Sequence, residues 1–311
     1  MVRYITIDEH ALDQRLDNFL IKQLKGVPKS HIYRLVRKGE VRVNKGRKSA
    51  DYKLKAADVV RIPPLKQSGS SQPAVPSSSL KQLLVQAIIY EDEGLLAINK
   101  PTGVACHGGS GIRLGIIETL RSEFGTKLEL IHRLDKDTSG CLLLAKKRSV
   151  LRALQHQWRT GEVNKTYICL LHKHWAKKTH IVDLPLKKNI TLSGERMVSV
   201  DYKTGKNARS EFKVIQNFRC KTLSAALAEV RITTGRTHQI RVHAQSVLHP
   251  LAGDRKYGDP SFNKALTVMG LKRLFLHAQS LAFINPLFNI HQNIRANMPS
   301  ELNRLLKTMS E

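Results

Sequence analysis

The stretch 64–83, PLKQSGSSQPAVPSSSLKQL, most constrains what this chain can fold into. Serine, proline and glutamine dominate it, and its few apolar side chains release too little free energy on burial to offset the entropy of ordering the backbone. It reads as a flexible linker. A chain of 311 residues interrupted there divides into a small domain, 1–63, and a large one, 84–311, long enough to bury a sizeable core.

In the small domain, Leu16, Phe19, Leu20 and Leu24 follow helical spacing. A second helix is expected with Ser30 as its cap and Ile32, Leu35 and Val36 buried, ended by Gly39. EVRVN, Glu40 to Asn44, then alternates like a strand, and Gly46 marks a turn. From Lys29 to Lys48 the eight cations Lys29, Arg34, Arg37, Lys38, Arg42, Lys45, Arg47 and Lys48 meet one acid, Glu40. A solvated charged face could carry such a run, but its density favours phosphate binding.

The bias extends over the whole chain, where 52 Lys plus Arg stand against 25 Asp plus Glu for a net charge of +27. Such a field attracts polyanions, nucleic acid foremost. No run of about 18 apolar residues and no basic amphipathic tail points to a membrane. The N-terminus, MVRYITIDEHALDQRLDNF, lacks the apolar centre of a signal peptide, so a cytoplasmic location is expected. Cys106, Cys141, Cys169 and Cys220 are widely spaced and read as buried, reduced thiols.

The large domain opens with AIIYEDEGLLAINKP, two apolar runs about an acidic Gly94 turn, hence a hairpin. LELI, CLLLA, TYICLL and AEVRITT are further strand candidates. Helices are expected from Ser149, as cap, to Arg159, and from about Thr237, with Ile240, Ala244, Val247 and Leu248 inward. The fold class is therefore α+β, on a mixed, largely antiparallel sheet.

Two segments could carry chemistry. IHRLDKDTSG, Ile131 to Gly140, lies between apolar strands and sets Asp135 and Asp137 among His132, Arg133 and Lys136. Cationic neighbours favour an ionised Asp135 able to act as nucleophile or base, while a surface ion-pair loop is the plainer alternative. The second segment is ITTGRTHQIRVHAQ, in which Gly235 and Arg236 turn the chain, Thr237 can cap, and His238, Arg241 and Gln245 share a helical face. An arginine at a helix start suits phosphate or carboxylate. The spacing of His238, His243 and His249 puts no pair on one face, so no metal is expected, and no phosphate-binding glycine loop indicates a nucleotide cofactor.

RLDNFL followed by KSHIYRLVRKGEVRVNKG resembles an S4-type RNA-binding domain, an α/β unit for structured RNA. HRLDKDTSG, KTYICLL, TGRTHQIRVHAQ, LAGDRKYGD and RLFLHA, in that order, resemble the RluA-type pseudouridine synthases, in the branch acting on 23S ribosomal RNA. That resemblance implies an isomerase that needs no cofactor and modifies uridines of 23S rRNA, expected as a monomer. It implies Asp135 as the essential carboxylate, Arg241 paired with it, and Tyr167 stacked on the uracil. Arg133 is expected to fill the gap left by a flipped base, with His132 supporting the loop and Thr138, Arg236 and His238 along the RNA. In the small domain Arg34, Arg37, Lys38, Arg42 and Lys45 are the expected RNA contacts. Two rivals stand beside this reading: a non-catalytic ribosome-assembly protein, and a nucleoside hydrolase with Asp137 as a second carboxylate.

Overall fold

The computed structural model describes residues 2–8, 11–24, 27–65, 76–108, 114–125, 127–190, 196–220 and 223–310. These fall into two compact units, Met1–Val75 and Pro76–Glu311. The middle of the expected linker, 66–75, lies outside the described residues. Its last part differs from expectation, because Ser78–Gln86 is helical. Ser77 caps that helix, its Oγ accepting from Leu80 N at 3.2 Å, and Leu84 is fully buried. The serine run that looked structureless thus contains a cap.

The first unit runs β1 (Arg3–Thr6), α1 (Leu16–Gln23), α2 (Lys29–Arg37), β2 (Arg42–Val43) and β3 (Val59–Ile62). Its three strands are antiparallel in the order β1-β3-β2. Phe19 and Leu20 from α1, Ile32 and Leu35 from α2, and Val60 and Ile62 from β3 form one core. The α2 helix begins one residue before Ser30, with Pro28 at the N-cap, φ −56°. The ring fixes that entry angle, so the expected Ser30 cap is not used. Gly39, φ +70°, ends α2 as expected.

The second unit begins with α3 (Ser78–Gln86), β4 (Ile88–Glu91), β5 (Leu95–Lys100), α4 (Ile116–Phe124), β6 (Glu129–Leu130), β7 (Ser139–Ala145), α5 (Arg148–Thr160) and β8 (Asn164–His172). It continues through β9 (Thr179–Asp183), β10 (Leu186–Ile190), β11 (Arg196–Val200), β12 (Arg209–Cys220), β13 (Leu223–Ile232), α6 (Gln239–Ser246) and α7 (Pro260–Val268). The last elements are β14 (Leu276–Asn285), β15 (Ile290–Arg295) and α8 (Ser300–Ser310). A large sheet runs β4-β5-β7-β14-β8-β13-β12-β9, with β15 on β14 and β6 on β7. Among the described strands only β7 and β14 pair in parallel, so the expected mixed, largely antiparallel sheet is what forms.

Strands β5 and β7 explain their unbroken apolar runs. Ala97, Cys141 and Leu143 pack on one face with Val150 and Leu154 of α5. The alternate residues Leu96, Ile98, Leu142 and Leu144 pack on the other with Ile116 and Leu120 of α4. A strand covered on both faces loses polar alternation. The β4–β5 hairpin turns at Asp92, whose Oδ1 accepts from Gly94 N and Leu95 N, both at 2.7 Å. Cys106, Cys141 and Cys169 are buried free thiols; the side chain of Cys220 lies outside the described residues. No described helix is long and apolar enough to cross a membrane.

Candidate active site

The segment 131–138 spans the short gap between β6 and β7, where a loop of mixed charge would be mobile unless held. It is held from below by the chain leaving β5. Lys100 is fully buried and its Nζ donates to the carbonyls of Pro101, Val104 and Lys136 at 2.8, 2.8 and 3.0 Å. Burial pulls the Lys100 ammonium down to a pKa of about 8. Thr102 Oγ1 donates to Asp137 O at 2.8 Å, Gly103 N to Lys136 O at 2.9 Å, and Cys106 Sγ both donates to and accepts from the Leu134 backbone. Within the loop, Thr138 N bonds back to Asp135 O at 3.2 Å.

His132 closes the other side. Its Nε2 accepts from Leu143 N at 3.0 Å, and its ring stacks on Trp158 at 4.6 Å. Burial, helped by the nearby Lys165 charge, lowers its pKa to about 3. The ring is neutral and spent on the loop, which suits the supporting role expected for it and leaves no free ring acceptor for RNA. Thr138, expected to touch RNA, is only 2% exposed and turns the backbone into β7.

At the loop's exit the sheet register assembles the site. Ala278 of β14 is opposite Gly140 of β7 on one side and Tyr167 of β8 on the other. Gly140 has φ +115°, and a Cβ there would collide with the backbone O and N of Ala278. Glycine permits the close parallel approach that brings Asp135's loop beside Tyr167. Across β8, Tyr167 pairs with Val230 of β13, whose end leads through Gly235 to α6.

The result is an open cavity of about 970 Å³ lined by Arg133, Asp135, Tyr167, Arg236, Lys165 and Trp158 among others. Sharing part of its wall, a recess of about 70 Å³ is lined by Asp135, Tyr167, His238 and Arg241. Asp135 is half-buried, and its carboxylate has no hydrogen-bond or ion-pair partner among the described residues. Asp137 is exposed and lines neither space, so the two acids differ in kind. Burial, reinforced by the Asp135 charge, pushes the Tyr167 phenol well above its ordinary pKa and keeps it protonated.

One expectation is corrected here. Arg241 does not form its pair with Asp135 but with Asp254, Nε to Oδ2 at 2.6 Å and Nη2 to Oδ1 at 2.7 Å, both side chains almost fully buried. Burial alone would raise the Asp254 carboxyl and lower the guanidinium; their mutual fork reverses both shifts. Asp135 acts on Arg241 only as a weaker neighbouring charge. The helix also starts later than expected, at Gln239, with His238 at its N-cap in the left-handed region, φ 54°. Thr237 therefore does not cap, Gln245 points to solvent, and Leu248 is 72% exposed, not inward. The strained His238 is fixed by Tyr257. Val198 N donates to the Tyr257 oxygen at 2.9 Å, and the phenol O–H is placed to donate to His238 Nδ1 at 2.8 Å. That assignment leaves the His238 proton on Nε2. Burial holds His238 below its ordinary pKa, opposed by Asp135. Arg236 is exposed, its Nε donating to Asn207 O at 3.1 Å.

The description RNA pseudouridylate synthase matches residues 94–246, and the description S4 domain matches 14–60. The ribosomal large subunit pseudouridine synthase C of Pasteurella multocida is 46% identical over 314 aligned residues, covering 100% of this chain and 94% of the relative. Its namesake in Salmonella typhimurium is 47% identical, covering 99% and 97%. The chain belongs to the RNA pseudouridine synthase family. Among solved structures, human RNA pseudouridylate synthase domain containing 4 superposes on the synthase with a TM-score of 0.60 at 27% identity, covering 75% of this chain and 96% of that one.

Lys100, Lys165 and Asp254 are site residues of the synthase that the sequence reading missed. Asp254 stood in LAGDRKYGD, one of two acids in a motif rich in turns and cations, the other being Asp259, which caps α7. Lys100, last in the apolar run LLAINK, gave a signal only as a charge where burial was expected.

In the S4 unit, Arg34, Arg37, Lys38, Arg42 and Lys45 are all exposed. Arg34 and Arg37 line a groove of about 450 Å³ with Tyr33, Arg47 and Lys48. Arg42 braces the turn, donating to Gly39 O and Lys45 O at 3.2 Å each, so part of its donor capacity is used within the protein. Behind the groove, buried Asp17 ties Arg15 to Tyr33, at 2.8 and 3.1 Å. Unit one thus presents a rigid cationic face.

Proposed function

We propose that this synthase converts uridines of 23S ribosomal RNA to pseudouridine with Asp135 as its essential carboxylate. The observation that carries the reading is the Asp135 carboxylate, half-buried and unpartnered among the described residues, facing a cavity of about 970 Å³ it shares with Tyr167 and Arg133. That volume accommodates a nucleotide. A uridine stacked inside a folded RNA reaches it by flipping, at a cost of about a few kcal/mol. Arg133, exposed at the cavity mouth, has a planar guanidinium suited to stack where the base had been. Within the recess, Asp135 acts on the sugar or base as nucleophile or general base. The N1–C1′ bond breaks, the uracil turns, and C5–C1′ forms with loss of the C5 proton to a base while N1 takes up a proton, so the product is an isomer of the uridine. Nothing is added and no electrons leave, so the proposal requires no cofactor. Tyr167 offers a protonated phenol and an aromatic face to the uracil, and Arg241, held by its fork with Asp254, lines the recess. The relatives' names support large-subunit rRNA as substrate, and the S4 unit's cations supply sequence-independent affinity for it. We read the protein as a monomer working in the cytoplasm, where ribosomal RNA is found.

The test is Asp135→Asn in a strain lacking the native gene. Pseudouridine mapping of 23S rRNA should show loss of the sites this gene makes, with rRNA binding retained. Normal pseudouridine levels would remove Asp135 from the reaction and favour a non-catalytic assembly role.

A further inference from the structure

A second cavity of about 800 Å³ lies beside the catalytic one, lined by Lys127, Lys147, Arg148, Leu151, Arg152 and Gln155 among others. Gln155 lines both spaces, and the adjacent β6 residues Glu129 and Leu130 line one each. They are joined along one face of α5. Arg148, Arg152, Gln155 and Arg159 recur at helical spacing within an arc of about 60°, and Arg159 opens into the catalytic cavity. The opposite face of α5 holds buried Val150, Leu154 and Gln157. From Arg148 to Arg159 the stripe runs about 16 Å.

Its charges are uncommitted. Lys147 is paired with Glu93 at 2.9 Å, and the one acid in the groove's wall, Glu129, is taken by Arg121 at 2.8 Å. Lys127, Arg148, Arg152 and Arg159 are exposed and have no ion-pair partner among the described residues. Guanidiniums held on a rigid helix, with no acid to satisfy them, fit a row of phosphates.

We infer that the face of α5 is a phosphate track, seating the RNA strand that flanks the target uridine as it leaves the catalytic cavity. The inference rests on the reading that RNA occupies that cavity. It separates two kinds of contact: Asp135 and its neighbours act on one nucleotide, and α5 holds the backbone several nucleotides away. An acidic protein is the other conceivable occupant, but the continuity with the catalytic cavity favours the strand already there.

The experiment compares wild type with Arg148→Gln/Arg152→Gln and, as a control for net charge, Arg304→Gln/Lys307→Gln on the exposed face of α8. Binding is measured over a range of salt to in vitro transcribed 23S rRNA and to an oligouridylate of about four nucleotides, which fills one single-strand site only. The α5 variant should lose about tenfold in affinity for the transcript at moderate salt. Its slope of log K against log salt should fall by about 1.4 to 1.8, the release from two phosphates. Oligouridylate binding should change less than twofold, and the α8 control should match wild type. Unchanged transcript affinity and slope, or an equal loss in the α8 control, overturns the track. Failure of the catalytic reading is visible separately, as wild type that binds the transcript without forming pseudouridine.

Discussion

The fork between Arg241 and Asp254 is an almost fully buried pair of opposite charges near Asp135. Two opposite charges removed from water are tolerable only while each has the other, and deleting one partner of such a pair costs about 3–5 kcal/mol. Asp254→Asn should therefore unfold at markedly lower denaturant concentration. The double variant Arg241→Met with Asp254→Leu should recover part of that loss while remaining unable to form pseudouridine. Equilibrium urea unfolding of the three proteins checks this, and a double variant no more stable than Asp254→Asn would mean the pair is not a closed unit. His132 makes a pH prediction at the same scale. It stays neutral in the fold down to about pH 3, whereas an unfolded histidine takes up a proton near about pH 6.5. Between those values the unfolded chain binds more protons, so stability rises with pH by about 1.4 kcal/mol per unit from this group. It is lost as the solution is acidified from neutrality. His132→Gln should give a shallower dependence of unfolding free energy between about pH 4 and about pH 6. Parallel curves for variant and wild type would show the ring to be solvated.

Elements are positioned by how closely they can approach, and the parallel β7–β14 pair depends on Gly140. Placing a methyl group against the Ala278 backbone at φ +115° combines backbone strain with overpacking. Gly140→Ala should lose more than about 2 kcal/mol and reduce pseudouridine formation, because the loop of Asp135 and the strand of Tyr167 meet across β14. Gly103→Ala is the comparison, with φ +81° but nothing within 4 Å of its Cβ. It should cost about 1–2 kcal/mol from backbone conformation alone. Equal midpoints for the two variants in thermal unfolding would remove steric approach as the reason for glycine at 140. These positions mark how far the sequence is legible. The hairpin at Asp92, the apolar run of β7, the body of α5 and the glycine stop of α2 follow from local pattern, because propensity and burial agree there, but Lys147, not the expected Ser149, stands at the N-cap of α5 and Ser149 lies within the helix. The parallel β7–β14 register is not legible, since Ser139 and His277 are 138 residues apart and only tertiary packing pairs them. Asp135 could be ranked above Asp137 only through resemblance, whereas in the fold the exposure of Asp137 separates them. The Arg241–Asp254 pair, only 13 residues apart, was missed because it joins a helix to the loop that follows it, a contact no periodicity encodes, and Ser77 was missed because a helix cap and a linker draw on the same residues.

At the scale of the whole molecule, net charge and local charge act differently on RNA. The surplus of +27 raises the local concentration of any polyanion and fades as salt rises. Contacts that neutralise particular phosphates add a fixed increment each to the salt slope. In the S4 unit, Arg37 and Lys38 follow one another at the end of α2, both exposed, on the run of eight cations to one acid. Arg37→Gln with Lys38→Gln removes two of 52 cations, a small change in the overall field. If the S4 face grips phosphates, the slope of log K against log salt for 23S rRNA should nevertheless fall by about 1.4 to 1.8. If only the field matters, that slope should hardly move, and affinity should drop no further than when two cations are neutralised elsewhere. Titrations at three or more salt concentrations, with the α8 pair as reference, separate the two. Because Asp135 and these cations belong to different compact units, the double variant should turn over transcript at the wild-type rate once RNA is saturating. A loss of rate at saturation would mean that the S4 face orients the substrate as well as holding it.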